Sequence, residues 1–315
     1  MTLFVLIAAL LLEQLRPLFA QKYFQGWLVA YVDYFQHHFN SGEYGHSKTA
    51  WWLAVFPLSL VAVLLYWGVY YLSPLLSIFI SVLVLYFCMG FGKYSQCFKE
   101  IQQALRSNQL DEARTLLSGL SGINMRQLNS EEIARVTIEI SVIKALRHLF
   151  GVIVWFSMFS LLGLGGAAGA LLYRIGWALR THWTDKLNAD ELAEAKFDAF
   201  SQEMFHRLEW LPIRLTAATL AVVGNFEDTV YCWRSQASSW QDSEAGILLA
   251  SAAGASGIRL GAAIHQAGGL LIRPELGAGE KTGDMALQCT IRLMWRSVMF
   301  MLLILFMLTL AGLLR

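Results

Sequence analysis

Glu139, Arg147 and His148 lie about two helical turns apart at the polar edge of an apolar run. A carboxylate and a guanidinium so spaced can hold an anionic headgroup or a phosphate, because the fixed fork of arginine donors matches such oxygens. The other use of a cation at such an edge is as an interfacial anchor. Arg214, Arg259 and Arg292 each interrupt otherwise apolar sequence and complete, with Glu139 and Arg147, the candidate ligand-binding set. Glu227 and Asp228 follow Gly224 and another apolar run. Paired carboxylates near a bilayer are natural magnesium ligands, or else the charged start of a helix. No residue is assigned a catalytic role.

Other chemistry-bearing groups carry less. His37, His38, Glu43 and His46 supply metal donors, but their spacing matches no zinc signature. The stretch from Gly254 through Gly257, Gly261 and Gly268-Gly269 can present backbone amides to a phosphate or serve close helix packing. No Walker A loop, nucleophile elbow or zincin motif is present. Cys88, Cys97, Cys232 and Cys289 form no C-x-x-C pair and read as packing residues.

The elements that must position these groups belong to a membrane protein. Of 315 residues 56% are hydrophobic and 15% charged, against about 25% charged in ordinary globular chains. The 24 Lys and Arg nearly cancel the 23 Asp and Glu, so no basic excess exists for a nucleic-acid backbone and nucleic acid is not expected as a partner. From Thr49 to Gly92 run 44 residues without Asp, Glu, Lys or Arg. A span takes about 20 apolar residues, so this is a helical hairpin, Ala50–Leu72 and Pro74–Phe91, broken at Ser73-Pro74. Leu149–Tyr173, with 25 uncharged residues, and Ser297–Leu314, with 18, give two more candidates, the last extendable back to Ile291. Met1–Leu12 is too short to span and is expected as an uncleaved embedded or interfacial element. Leu211–Phe226 and Gly246–Ile272 are expected as close-packed or re-entrant helices.

The expected fold is therefore all-α and polytopic, with possible re-entrant or broken helices. Its organisation is an N-terminal membrane region over 1–92, a cytoplasmic helical insert over 93–148, and a C-terminal membrane region over 149–315. The last contains a polar loop at 174–210 and a final span at 291–314. Within the insert, Asn129 three residues before Glu132 predicts a capping box and a helix from Ser130, after an earlier helix at Leu110–Leu120. Eight Lys and Arg place the insert in the cytoplasm, yet 174–210 carries five more. Either Leu149–Tyr173 crosses once and puts that loop outside, or its glycines at 163, 165, 166 and 169 split it into two half-helices that dip and return.

Three ordered stretches carry a resemblance: Trp210-Leu211-Pro212-Ile213-Arg214-Leu215, Gly257-Ile258-Arg259-Leu260-Gly261 and Ile291-Arg292-Leu293-Met294-Trp295. Together they resemble the CobD/CbiB family, membrane synthases that form an amide between adenosylcobyric acid and aminopropanol or its phosphate. The likeness runs over most of the chain from Glu139 onward. It implies ATP and Mg²⁺ if the synthase reading holds. The chain departs from the family's polar positions at Ile143, Lys144, Arg147 and His148, at Trp177-Ala178-Leu179-Arg180, at Phe205 and His206, and at Asp242-Ser243-Glu244. Other positions are similar to the AmpE branch, linked to signalling around cell-wall recycling: Met1 to Phe4 with Glu13, Arg147 with Trp155, Trp210 with Pro212, and Gly224, Glu227 and Trp233.

The departures imply a non-catalytic sensor or modulator in the bacterial inner membrane. It would bind a protein partner or an anionic metabolite, corrinoid or cell-wall derived, through Glu139, Arg147, Arg214 and Glu227. The alternative is an ATP- and Mg²⁺-dependent amide-forming synthase of cobalamin biosynthesis, with Glu227 and Asp228 as substitute metal ligands. A transporter-like scaffold, suggested by broken glycine-rich helices, is the third reading.

Overall fold

The computed structural model describes residues 2–15, 19–39, 44–122, 125, 127–184, 191–266, 269–279 and 283–313. Met1, Glu43 and Leu314 lie outside the described residues, as do the side chains of His37 and His46.

Among the described residues the architecture is all-α. The helices are α1 (Thr2–Leu15), α2 (Phe19–Phe39), α3 (Tyr44–Leu72), α4 (Pro74–Cys88), α5 (Phe91–Arg106), α6 (Leu110–Ser121) and α7 (Ser130–Ala145). A π-helical turn, Leu146–Phe150, leads into α8 (Gly151–Leu161), followed by α9 (Gly166–Thr184), α10 (Glu191–Val223), α11 (Phe226–Gln236), α12 (Ser243–Ser256) and α13 (Asp284–Leu313). Four short strands separate the last two helices: β1 (Leu260–Gly261), β2 (Ile264–Gln266), β3 (Gly269–Leu271) and β4 (Glu275–Leu276). Both pairs, β1 with β4 and β2 with β3, are antiparallel.

Among the described residues three helices are long and apolar enough to cross a membrane: Lys48–Leu72, Ser130–Leu161 and Met285–Ala311. Pro74–Cys88 with Phe91–Arg106 makes a fourth if that pair is one broken span. On α3, Trp52, Phe56, Leu60, Leu64 and Tyr71 are exposed, as lipid-facing positions are in a span. The break at Ser73 is where proline predicts it, with Pro74 opening α4.

Elsewhere the structure redraws the sequence boundaries. Leu149–Tyr173 is not one continuous helix, because the chain is already helical from Ser130 and breaks between Leu161 and Gly166. Gly163 and Gly165 adopt φ of 73° and 82° there, conformations that glycine takes without steric cost. Helices α8 and α9 then lie antiparallel and close, since a Cβ on Gly169 would come 2.2 Å from the Trp155 carbonyl oxygen. The polar stretch 174–210 is largely helical, belonging to α9 and α10. Gly246–Ile272 is helical only to Ser256: Gly257 caps α12 at φ 63° and the chain goes on as strands.

The chain forms two compact units, residues 1–90 with 147–212, and residues 91–146 with 213–315. In the first, Leu28, Val32, Trp51, Val55, Leu179 and Trp183 form a core joining α2, α3 and α9. In the second, Ile101, Leu105, Leu117, Leu128, Ile133 and Val136 join α5, α6 and α7. The start of α7 is the predicted capping box: Glu132 N donates to Asn129 Oδ1 and Asn129 N donates to Glu132 Oε2, both at 2.8 Å.

Candidate functional site

Each unit buries a charged cluster, and the two are built differently. In the first unit the π turn Leu146–Phe150 carries Arg147 and His148. Such one-turn irregularities inside α-helices are frequent at functional sites. Arg147 Nε donates to Glu209 Oε1 at 2.9 Å, and Arg180 Nη1 donates to Glu209 Oε2 at 3.1 Å. Glu209 is 3% exposed, so a single buried carboxylate from α10 serves cations from the π turn and from α9. The Arg147 guanidinium lies 4.6 Å from the Trp177 ring centroid, and that of Arg180 lies 5.4 Å from Phe205. Aromatic faces of this kind favour cations in low-dielectric surroundings.

Behind them Arg174 Nη1 lies 3.0 Å from His148 Nδ1. Arginine is always a donor, so this contact requires His148 Nδ1 to accept. Tyr173 is fully buried, with its ring 5.5 Å from Phe205. Its hydroxyl has no hydrogen-bond partner among the described residues, and the charged groups acting on it are Glu209, Arg147, Arg174 and Arg180. Gly151 makes its place: a Cβ there would sit 2.3 Å from Tyr173 Cζ and 2.4 Å from its hydroxyl oxygen.

In the second unit Glu139 of α7 is held by Arg273. Glu139 Oε2 accepts from Arg273 Nη1 at 2.7 Å, and Oε1 accepts from Arg273 Nη2 at 3.3 Å and from Gly261 N at 2.8 Å. Arg273 also donates to the carbonyls of Ala262 and Gly261. Glu132 Oε1 accepts from both the ring and the backbone N–H of His265, and Arg135 Nη2 donates to the Ala263 carbonyl. Three polar side chains of α7 thus clasp the strand segment. Gly261, at φ 73°, has no room for a Cβ, which would meet the Pro274 carbonyl oxygen at 2.0 Å.

The sequence-predicted residues divide between these settings. Glu139 and Arg147 are not a pair, since each has its own partner in its own unit. Arg214 donates through Nη1 to both oxygens of Glu244, at 3.2 and 3.0 Å. Arg259 Nε donates to the Gly279 carbonyl at 2.8 Å, and Arg292 is exposed with its Nη2 3.9 Å from Cys289 Sγ. Glu227 and Asp228 occupy the first turn of α11, where Asn225 caps the helix and its amide donates to Asp228 Oδ2 at 2.6 Å. Glu227 is exposed and lines an open cleft of about 510 Å³ with Phe226, Val230, Tyr231, Arg234 and Ser235. Among the described residues no group of three or more His, Cys, Asp or Glu converges. With Asp228 committed to the cap, the pair does not fit a resident magnesium ion, which needs converging oxygen ligands.

Glu209, Arg273 and Tyr173 are the site residues that sequence reading misses. A faint signal existed for Glu209, a carboxylate at the lip of the apolar run that begins at Leu211. Arg273 beside Leu270 to Ile272 carried the same mark.

Comparison with known proteins bears on what such a chain does. A family model described as CobD/Cbib protein matches residues 22–294. A protein of Stutzerimonas stutzeri named cobalamin biosynthesis protein CobD is 32% identical over 281 residues, covering 87% of each chain. One of the same name from Chromobacterium violaceum is 33% identical over 210 residues, 65% of this chain and 63% of that protein. The cobalamin biosynthesis protein CbiB of Salmonella typhimurium is 26% identical over 248 residues, 73% of this chain and 72% of that one. No solved structure matches.

Proposed function

The chain belongs to the CobD/CbiB family, and from that premise we propose that it works in cobalamin biosynthesis as an ATP-dependent amide-forming synthase. The observation that carries this reading is the extent of the likeness, 87% of the chain against 87% of a relative named for that pathway. It favours the synthase over the signalling modulator, for which neither the family model nor these relatives give support.

In the proposed reaction a carboxylate oxygen of adenosylcobyric acid attacks the γ-phosphorus of ATP and ADP departs. The amine of aminopropanol, or of its phosphate, then displaces phosphate from the acyl carbon and loses a proton, leaving the amide. ATP, the acid and the acyl phosphate formed from them all carry phosphate or carboxylate, and oriented arginines are the protein groups that bind and stabilise such charge. Arg147, Arg174 and Arg180 are the residues so gathered in the first unit. Magnesium enters this reading with the nucleotide, as part of the substrate. The protein is proposed to sit in the bacterial inner membrane with several crossings.

The test is synthesis by the purified chain in nanodiscs, given ATP, Mg²⁺, adenosylcobyric acid and aminopropanol phosphate, with product followed by mass spectrometry. ATP-dependent product is expected. Absence of product, with a characterised family synthase active in parallel, overturns the reading. One observation favours the non-catalytic alternative, namely that Glu139, Arg147 and Arg214 each hold an internal partner, and that null result would leave it standing.

A further inference from the structure

The packing of α8 and α9 in the first unit bears on which side of the membrane the chain regains after them. The two helices touch along their length, since a Cβ on Gly151 would strike the Tyr173 ring, one on Gly166 the Phe156 ring and one on Gly169 the Trp155 carbonyl. The turn between them carries Leu161, Leu162 and Leu164, which are 64%, 61% and 39% exposed. No Asp, Glu, Lys or Arg occurs from Leu149 to Tyr173, and an exposed turn of leucine and glycine suits lipid better than water. The backbone N–H groups of Leu162, Gly163 and Leu164 are bonded to carbonyls of α8, so the turn approaches lipid without leaving those donors unanswered. Beside it stands Tyr66 of α3, whose ring would meet a Cβ on Gly165. Tyr66 belongs with Trp67, Tyr70 and Tyr71 to one set of ring contacts just before Ser73, and such aromatic sets collect at the level of lipid headgroups. At the other end of α3, Lys48 Nζ lies 5.9 Å from the Phe200 ring centroid, and Trp51 packs with Leu179 and Trp183 of α9. From Lys48 to Tyr70 the helix rises about 33 Å at about 1.5 Å per residue, close to the roughly 30 Å of a hydrocarbon core.

We propose that α8 and α9 form a membrane hairpin whose turn rests at the outer headgroup level with Leu161, Leu162 and Leu164 in the lipid, so that both its ends open to the cytoplasm. Lipid is the partner by continuity, because the turn adjoins α3 at Tyr66 and α3 exposes Leu64, Leu65 and Trp67 around that residue. Thr2 Oγ1 lies 2.9 Å from Ser160 Oγ, which brings the start of α1 to the same outer level. The side follows from charge. Neither Thr49 to Gly92 nor Leu149 to Tyr173 contains Lys or Arg, whereas 174–210 carries five, and cytoplasmic segments hold the excess. The polar stretch 174–210 thus shares its side with Lys48, and its charge no longer conflicts with a single crossing. This arrangement does not depend on the synthase reading.

The experiment places single cysteines in the full chain after Cys97 and Cys289, the two that are not buried, are replaced by serine. A membrane-impermeant maleimide is applied to intact bacterial spheroplasts and to inside-out vesicles, with the chain lacking an added cysteine as the blank. Gln202→Cys and Arg207→Cys should be labelled only in inside-out vesicles, and Ser73→Cys only in spheroplasts. Gln202 and Arg207 are both exposed, so either reports the side if the other variant fails to accumulate. Labelling of Gln202→Cys or Arg207→Cys in spheroplasts would mean that the chain crosses once between Leu149 and Tyr173, and it overturns the proposal. So does labelling of Ser73→Cys from the cytoplasmic side. The lipid contact is read separately in nanodiscs, from a nitroxide attached to Leu162→Cys. Collisions with oxygen should exceed those with a water-soluble nickel chelate there, and the reverse should hold at Arg207→Cys. A nitroxide at Leu162→Cys that meets the chelate as readily as the one at Arg207→Cys does would put the turn in water and overturn the lipid contact.

Discussion

Glu139 and Glu209 are both buried carboxylates held by arginine, yet their surroundings give them different work. Glu139 accepts from both Nη groups of Arg273 and from the Gly261 N–H, and Arg273 also donates to two carbonyls. That knot is closed and fixes the strand segment to α7. Glu209 is shared by two arginines from different helices, beside a third arginine and a hydroxyl without an acceptor among the described residues. The contrast teaches that burial and charge alone do not mark a site. What differs is how each carboxylate is shared, one arginine for Glu139 and two for Glu209.

The sharpest break of that comparison replaces each carboxylate in turn. Glu139→Ala leaves the half-buried Arg273 without its carboxylate and the Gly261 amide unanswered, and should cost about 3 kcal/mol of unfolding free energy. Glu209→Gln should cost a similar amount, and because two arginines share that carboxylate, the loss should be felt on both α9 and the π turn. Hydrogen exchange that rises in only one of those segments would erase the distinction. Arg214→Ala comes next, at about 1.5 to 3 kcal/mol, because it removes the partner of the nearly buried Glu244 from a pair whose arginine reaches solvent; denaturation in mild detergent would check it. Asn129→Ala should cost about 1 kcal/mol through loss of the capping box, and faster hydrogen exchange over the first turn of α7 would locate the loss there. The smallest change is Tyr173→Phe, expected within about 0.5 kcal/mol of the wild type without ligand, and a large fall in its midpoint would mean that the hydroxyl already serves the fold.

Legibility followed distance along the chain. The break at Ser73, the cap at Asn129 and the outward apolar face of α3 rest on residues within one or two turns, where proline, side-chain capping and hydropathy act locally. Glu227 and Asp228 open α11, and two adjacent carboxylates look alike in sequence whether they face a cation or open a helix. Arg147 was read from sequence together with Glu139, but it sits in the π turn that follows α7 and pairs with Glu209, and no composition rule announces such a turn.

By itself the sequence determined that this is an all-α membrane-type protein, because charge-free runs as long as a bilayer is thick have one stable solution, the helix, whose backbone bonds close within the segment. The three ordered motifs also carried the family. Tertiary structure alone decided which charges meet. Glu139 finds Arg273 134 positions away and Arg147 finds Glu209 62 positions away. Ion pairs form where packing brings donor and acceptor to within about 3 Å in a low dielectric, and that proximity is a property of the folded chain.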